Sequence, residues 1–170
     1  AHSTLGMSPI LAFGTEAQKQ RFVPLLAGGR VLGGFGLTEP AAGTDAGSTR
    51  TVAVRENGGY RLNGSKIFIT HAGVGEIFVV TAVTDRERGT KGITSFIVTK
   101  ETTDREAAER VGVGHAPELE PFTPGVRAGK KEDKMGWRAS DTRERILEDA
   151  PVPAEQRLGE EGQGFINFMK

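Results

Sequence analysis

The segment best suited to chemistry is residues 36–48, GLTEPAAGTDAGS, where a short apolar run enters a loop of glycine, proline and hydroxyl side chains. Pro40 fixes a turn after Thr38, and Gly43 permits close backbone approach. Such a corner can present N–H groups and hydroxyls to a phosphate or to the polar edge of a flat ligand. It has neither a Walker loop nor a G-x-G-x-x-G fingerprint. Two interpretations stay open, a ligand-binding corner and an ordinary Gly/Pro turn.

The other side chains that could do chemistry each have an ordinary structural explanation. Thr38 and Thr70 could be strand residues whose hydroxyls bond the backbone. Phe68 could be a core aromatic, as most strand aromatics are. For the acids Glu39 and Asp45 we favour a turn-capping role over contact with a ligand.

The lysines and histidines carry little functional signal. Lys66 is expected to be solvated or ion-paired rather than catalytic. His2, His71 and His115 have no acidic or histidine partner at metal-binding spacing, so no metal site is predicted. His71 either borders a ligand cavity or is an ordinary surface or core histidine. The basic run 127–134 is expected to be a solvated edge strand, with contact to coenzyme A phosphates as the alternative.

Composition excludes several classes of function. The 170 residues include 22 basic and 22 acidic residues and no cysteine. The charge balance gives no long-range attraction to nucleic acid, and the lack of cysteine removes disulfides and thiolate chemistry. No apolar run approaches the roughly 18–20 residues of a membrane span, and the first residues lack a signal-peptide pattern. We expect a cytoplasmic protein with no nucleic-acid partner and no membrane span.

The elements that must position the candidate residues are mainly short strands. The 24 glycines are spread along the chain and predict many tight turns. A helix is predicted over 15–27, with Thr15 and Gln18 as its capping box. The run 57–59 (NGG) predicts a hairpin, and Asn63-Gly64 predicts a second tight turn. Further strands are predicted over 31–37, 49–55, 76–83, 92–98, 126–137 and 142–147.

Two regions depart from this strand pattern. Residues 101–122 contain little apolar alternation and predict an irregular surface excursion. Residues 165–170 are typical of the first turns of a helix. Trp137 is expected to pack as the anchor of an apolar cluster.

The sequence resembles the acyl-CoA dehydrogenase family in five segments that occur in the family's order. The matching segments are 36–48 (GLTEPAAGTDAGS), 62–70 (LNGSKIFIT), 92–98 (GITSFIV), 133–142 (DKMGWRASDT) and 152–165 (VPAEQRLGEEGQGF). The resemblance covers nearly the whole chain apart from residues 101–122, which are longer than the family's usual turn. Arg145 and Leu147 also depart from the apolar residue and the phenylalanine that relatives carry there.

The resemblance implies a mainly β fold of two small, orthogonally packed antiparallel sheets, the β-barrel-like middle domain of the family. It divides the chain into residues 1–30, the end of an N-terminal helical domain, and residues 31–155, the middle β domain with 101–122 as an irregular insertion. Residues 156–170 would be a linker and the start of a C-terminal helical domain.

The resemblance also implies a flavin site drawn from two segments. Its cofactor-binding residues would be Phe35, Gly36, Leu37, Thr38, Gly43, Thr44, Phe68, Ile69 and Thr70. Thr38 would supply donors at the flavin pyrimidine edge, Thr70 would lie near N5, and Phe68 would pack on the ring. Thr44 would contact the pantetheine arm of a substrate.

The implied activity is FAD-dependent α,β-dehydrogenation of acyl-CoA thioesters in fatty acid metabolism, with an electron-transfer flavoprotein as partner and a homotetrameric assembly. The family's catalytic base is a glutamate of the C-terminal helical bundle, which no glutamate here matches. We therefore assign no catalytic residue and expect these 170 residues to be inactive alone. The alternatives are an acyl-CoA oxidase or related flavoenzyme on the same scaffold, and a catalytically inert β module for binding or assembly.

Overall fold

The computed structural model describes residues 1–170. A π-helical turn, His2–Met7, leads into two helices and a run of strands. The helices are α1 Ser8–Phe13, α2 Glu16–Ala27, α3 Arg105–Arg110 and α4 Gly164–Phe168. The strands are β1 Gly33–Gly36, β2 Val52–Glu56, β3 Gly59–Thr70, β4 Ile77–Val83, β5 Ile93–Thr99, β6 Val126–Lys131, β7 Thr142–Pro153 and β8 Arg157–Leu158.

The strands form one hydrogen-bonded sheet in the order β6-β7-β3-β2-β4-β5-β8, with β1 beside β4. Two largely antiparallel groups meet where β2 pairs with β4, through the single pair Val52↔Val83. The prediction of a mainly β fold is confirmed. The barrel-like closure is wrong, because β6 and β8 end the strand order and do not pair with each other.

Two core clusters lie on the two faces of β4 and β5. Phe78 and Val80 enter a cluster of 13 buried residues that the sheet encloses. Ile77 and Val79 enter a second cluster of 11 buried residues, which packs α1 and α2 onto the sheet. Successive side chains of a strand point to opposite faces, so β4 serves both clusters and is buried along nearly its whole length. This buried strand supports β1.

Local sequence signals explain the first helix pair and the hairpin. The Thr15 hydroxyl accepts a hydrogen bond from the Gln18 N–H, and the Gln18 side chain accepts one from the Thr15 N–H, which confirms the predicted capping box. The turn between β2 and β3 is also confirmed. Asn57 and Gly58 both have positive φ, 51° and 77°, as a two-residue hairpin turn of this type requires.

Three expectations from the sequence are wrong. Asn63-Gly64 is not a turn, because β3 continues through both residues and only shifts its register against β7 there. Residues 101–122 are not irregular throughout, because they contain α3 and bury Ala108, Val113 and Leu119. Trp137 is not a cluster anchor, because its side chain is 88% exposed in the β6–β7 connection.

The helix predicted over 15–27 corresponds to α2, and the helix predicted over 165–170 corresponds to α4, which begins at Gly164 and ends at Phe168. The edge strand predicted for the basic run 127–134 is confirmed for residues 127–131, which lie in β6 at the end of the strand order, but the strand stops at Lys131 and not at residue 137. None of the helices combines the length and the apolar character needed to cross a bilayer.

Candidate functional site

Six of the nine predicted site residues line one cleft of about 250 Å³, which we call the threonine cleft. They come from two segments, the end of β1 and the end of β3, which are 30 residues apart in the sequence. The lining residues are Phe35, Leu37, Thr38, Phe68, Ile69 and Thr70, together with Ala1, Leu5 and Phe168. The structure therefore brings together the two segments that the sequence singled out.

The glycines of β1 allow this meeting. At Gly34 a Cβ atom would lie 2.6 Å from the Phe78 ring and 2.7 Å from the Thr70 carbonyl oxygen. Real Cβ atoms do not come that close to other heavy atoms, so only glycine lets β1 lie against both the core and the end of β3. The parallel pairing of β1 with β4 then leads the chain directly to Leu37 and Thr38.

A bulge in β3 supplies the other wall of the cleft. Lys66 pairs with Arg145 and Ile69 with Arg143, so β3 advances three residues while β7 advances two. Phe68 within this bulge has φ 58° and a side chain 61% exposed. Bulges re-aim side chains in this way beside functional sites. The structure excludes the core position that was the ordinary explanation for Phe68.

The bulge also ties the two walls together. The Ile67 N–H, freed from the β7 ladder, donates to the Thr38 carbonyl at 2.8 Å. The Ile69 side chain points into the core and is 3% exposed, so it offers its backbone to the cleft. The hydroxyl residues Thr38 and Thr70 are both half-buried at the cleft.

A buried ion pair lies behind the Thr38 wall. The Lys66 ammonium contacts the Glu39 carboxylate at 2.6 Å and the hydroxyls of Thr49 and Thr81 at 3.1 and 3.2 Å. It also donates to the Leu37 carbonyl at 3.3 Å. Lys66 is fully buried, so of the two expectations for it, solvated or ion-paired, only the ion pair is confirmed.

The Glu39 carboxylate has a wider role than capping a turn. It accepts hydrogen bonds from the Thr49 hydroxyl and from the backbone N–H groups of Arg50 and Thr51. Burial alone would raise the pKa of Glu39, but the Lys66 charge and these hydrogen bonds outweigh burial and lower its pKa to about 2. Burial lowers the pKa of Lys66, and the Glu39 charge opposes that change.

Three of the predicted site residues lie outside the cleft. Gly36 is buried against the Lys66 stem, with a Cβ position 3.2 Å from Lys66 Cγ. Gly43 and Thr44 are exposed in the loop that follows, away from the cleft lining. The Asp45 carboxylate accepts a hydrogen bond from the Ser48 hydroxyl in the same loop but none from a backbone N–H, so the turn-capping role favoured from the sequence is wrong for Asp45.

The structure adds two apolar side chains that sequence reasoning missed. Phe168 of α4 stacks on Phe35 with ring centroids 5.2 Å apart, and Leu5 lies beside them. In the sequence, both residues belong to apolar segments near the two ends of the chain, and these segments received less weight than the strand motifs. His71 is absent from the lining; its Nδ1 donates to the Gly33 carbonyl at 2.9 Å, and burial lowers its pKa.

Two larger clefts have different characters. A cleft of about 590 Å³ surrounds the β2–β3 hairpin and contains no predicted site residue. An apolar groove of about 350 Å³ adjoins the threonine cleft and shares Leu5, Phe35 and Phe168 with it. The cleft with the largest volume is thus not the one that the sequence indicates.

The threonine cleft is built for binding rather than for acid–base work. Its lining has an exposed aromatic ring, two hydroxyl residues and apolar walls, with no Asp, Glu, His or Cys side chain. No group of His, Cys, Asp and Glu side chains in residues 1–170 is arranged to hold a metal ion. Such a surface fits a flat ligand with one polar edge.

Comparison with known proteins agrees with this geometry. Residues 34–150 match the family model described as acyl-CoA dehydrogenase, middle domain, and residues 1–30 match acyl-CoA dehydrogenase, N-terminal domain. The chain belongs to the acyl-CoA dehydrogenase family. A short-chain specific acyl-CoA dehydrogenase of Megasphaera elsdenii is 48% identical over 163 residues, 95% of this chain and 37% of that relative. The resemblance recognised in the sequence is confirmed.

Solved structures of acyl-CoA dehydrogenases share the fold. Butyryl-CoA dehydrogenase from Megasphaera elsdenii superimposes with a TM-score of 0.85 at 46% identity, over 99% of this chain and 39% of that one. An acyl-CoA dehydrogenase from Bacillus anthracis, solved in complex with FAD, gives a TM-score of 0.81 at 37% identity, over 99% of this chain and 26% of that one. The chain spans well under half the length of each of these relatives.

Proposed function

We propose that the threonine cleft binds the isoalloxazine ring of FAD. The observation that carries this proposal is the convergence of Thr38, Thr70 and the exposed ring of Phe68 on one cleft with apolar walls. A flat aromatic ring system with one polar edge needs such a surface, an aromatic face for stacking and donors at one rim. The FAD complex of the Bacillus anthracis relative supports the choice of cofactor.

Each residue then has a separate role toward the cofactor. Thr38 and Leu37 offer the hydroxyl and backbone groups at the polar edge, Thr70 offers a hydroxyl at the opposite wall, and Phe68 covers a ring face. FAD supplies an acceptor for a hydride from the substrate. Donors that the fold has already fixed stabilise added negative charge without reorganising when the charge arrives.

We propose that the full-length protein catalyses α,β-dehydrogenation of an acyl-CoA thioester. The name of the Megasphaera relative supports a short acyl chain as the first substrate to try. Thr44, on the exposed loop after the cleft, is proposed as a contact for the pantetheine arm. No residue of this chain is assigned as the catalytic base.

The test is the visible spectrum of the purified full-length protein, before and after the addition of saturated acyl-CoA thioesters from butyryl upward. We expect bound flavin whose visible band is bleached by one class of chain length, and turnover with an artificial electron acceptor. Thr38→Val and Thr70→Val should impair both. Thr84→Val, which breaks a hydroxyl pair of Thr84 and Thr94 outside the cleft lining, is the matched control.

The same experiment separates the alternatives. Rapid reoxidation by oxygen, without an added acceptor, would identify an acyl-CoA oxidase. Bound flavin that no thioester reduces would point to another flavoenzyme, and absence of flavin would leave the inert β module.

We propose an electron-transfer flavoprotein as the acceptor, a homotetrameric assembly and a cytoplasmic location, on the strength of the family resemblance. Light scattering of the purified protein tests the assembly.

A further inference from the structure

We propose that the buried Glu39–Lys66 pair is a positioning device that sets the geometry of the flavin edge and of the substrate-side loop together. The proposal rests on the proposed function, and it concerns two residues that contact neither ligand directly. Glu39 and Lys66 are 4% and 0% exposed, and neither lines the threonine cleft.

The pair joins three pieces of chain. Lys66 belongs to β3, immediately before the bulge that presents Phe68. Its ammonium contacts the Leu37 carbonyl at 3.3 Å, and the next residue, Thr38, accepts from the Ile67 N–H at 2.8 Å. The position of the Thr38 wall is therefore fixed to β3 by two adjacent contacts, one of which depends on Lys66.

The carboxylate closes the loop that follows. Glu39 stands at the start of residues 40–48, and its two oxygens bind the Thr49 hydroxyl and the N–H groups of Arg50 and Thr51 at the end of that loop. Glu39 and Ala42 also form an isolated backbone bridge. The loop that carries Thr44 is thus held at both ends by one side chain.

The two partners are not equivalent. Without Lys66, the Glu39 carboxylate keeps the Thr49 hydroxyl and two backbone donors. Without Glu39, the Lys66 ammonium keeps only hydroxyl and carbonyl acceptors, and a buried charge loses its counter-charge. Lys66→Met therefore leaves the closure of the loop by Glu39 in place, whereas Glu39→Gln disturbs both the loop and the partner charge.

The experiment compares full-length wild type, Lys66→Met, Glu39→Gln and the double variant. Displacement of a positioned group by about 1 Å can reduce catalysis by roughly 100-fold, so we expect kcat/KM with butyryl-CoA to fall by about that factor in Lys66→Met. The visible flavin band should shift, and KM for the thioester should rise along with the fall in kcat. Hydrogen exchange at the amides of Arg50 and Thr51 should be faster in Glu39→Gln.

Val152→Ala is the matched control, since Val152 is 1% exposed in the enclosed core and outside the threonine cleft. It should lower the melting temperature and leave the flavin band and KM unchanged. If Lys66→Met and Glu39→Gln behave like Val152→Ala, the pair only stabilises the fold and the proposal is wrong. A wild-type protein without flavin would instead overturn the proposed function. In that case the exchange rates of Arg50 and Thr51 still decide whether Glu39 closes the loop.

Discussion

Two regions of this protein bury charged side chains, and they do so in opposite ways. Behind the threonine cleft, Lys66 faces one carboxylate, and the carboxylate in turn has donors on both oxygens. Behind the loop that follows Thr70, Arg145 is fully buried against the Phe78 ring, 3.8 Å from its centroid, with Nε and Nη1 unpartnered. The first region is a balanced network, and the second contains a buried guanidinium with two unpartnered nitrogens.

The second region contains another buried cation. Lys100 is 2% exposed and donates to backbone carbonyls and to the Thr103 hydroxyl. Burial, and next the Arg145 charge, lower the pKa of Lys100 to about 7. Burial lowers the pKa of Arg145 to about 9, although Asp141 opposes the change. The comparison teaches that burial of charge does not by itself indicate function, because one region pairs its buried charges and the other leaves buried nitrogens without a partner.

The largest effect on stability is expected from a substitution that breaks the balanced network. Glu39→Gln should cost about 3–5 kcal/mol in free energy of unfolding, because Lys66 is then buried without a counter-charge. Chemical denaturation of the full-length protein at pH 7 measures this value. A cost below about 1 kcal/mol would show that Lys66 does not depend on Glu39.

The pH dependence of the same carboxylate gives a second signature. The folded pKa of Glu39, about 2, lies below its ordinary value of 4.5. Its contribution to stability is therefore fully present above pH 4.5 and is lost as the pH falls from 4.5 toward 2. The difference in stability between wild type and Glu39→Gln should shrink over that interval, and a difference that stays constant would contradict the assignment.

Lys100→Met should have the next largest effect, in the stabilising direction. A lysine whose folded pKa is about 7 costs folding free energy below pH 7, and this cost disappears as the pH rises from 7 toward 10.5. We expect a gain of about 2 kcal/mol at pH 6, in the range found when buried charges are replaced by apolar groups. Denaturation at pH 6, 8 and 10 measures the trend, with the exposed Lys130→Met as control. A gain that grows with pH would contradict the prediction.

Arg145→Met should change stability less. The substitution loses the contact of Nη2 with the Ala72 carbonyl at 2.8 Å and the stacking on Phe78, but it also removes two unpartnered donors. We expect a result between no change and a gain of about 1–2 kcal/mol, measured by denaturation at pH 7. A loss above about 3 kcal/mol would show that the buried guanidinium stabilises the fold as strongly as a paired charge and that the contrast between the regions is false.

The smallest effect on stability is expected for a surface ion pair, which serves as a reference for the buried groups. Arg127 and Glu148 form an ion pair at 3.1 Å across β6 and β7, with side chains 57% and 67% exposed. Arg127→Ala should change stability by less than about 0.5 kcal/mol, and the change should disappear in high salt because solvent and ions screen the pair. A larger effect that persists in salt would mean that β6 depends on this pair.

Sequence reasoning succeeded where a signal was local or carried by a family motif. The capping box at Thr15 and the turn at Asn57-Gly58 need only adjacent residues. The same dipeptide failed at Asn63-Gly64, because both sides of it pair with one long strand, β7, and the glycine is used in a register shift instead. A turn signal cannot report which strand lies beside it.

The candidate site shows the same limit. Its two segments were found from motif residues, and the structure brings Thr38 and Thr70 to one cleft. The burial of Lys66 and Arg145 could not be predicted, since charged residues on strands are usually exposed and burial depends on distant partners. The helix α3 had a signal that was overlooked, Asp104 as a cap whose carboxylate accepts from the Ala107 N–H at 3.1 Å.

The most direct test of the account is a crystal structure of the full-length protein with its flavin bound. We predict an isoalloxazine ring in the threonine cleft, against Phe68, with groups of Thr38 and Thr70 at hydrogen-bond distances of about 3 Å from its polar atoms. We also predict the Glu39–Lys66 pair intact behind Thr38. A flavin ring bound elsewhere, or one that contacts neither threonine, would contradict the central claim.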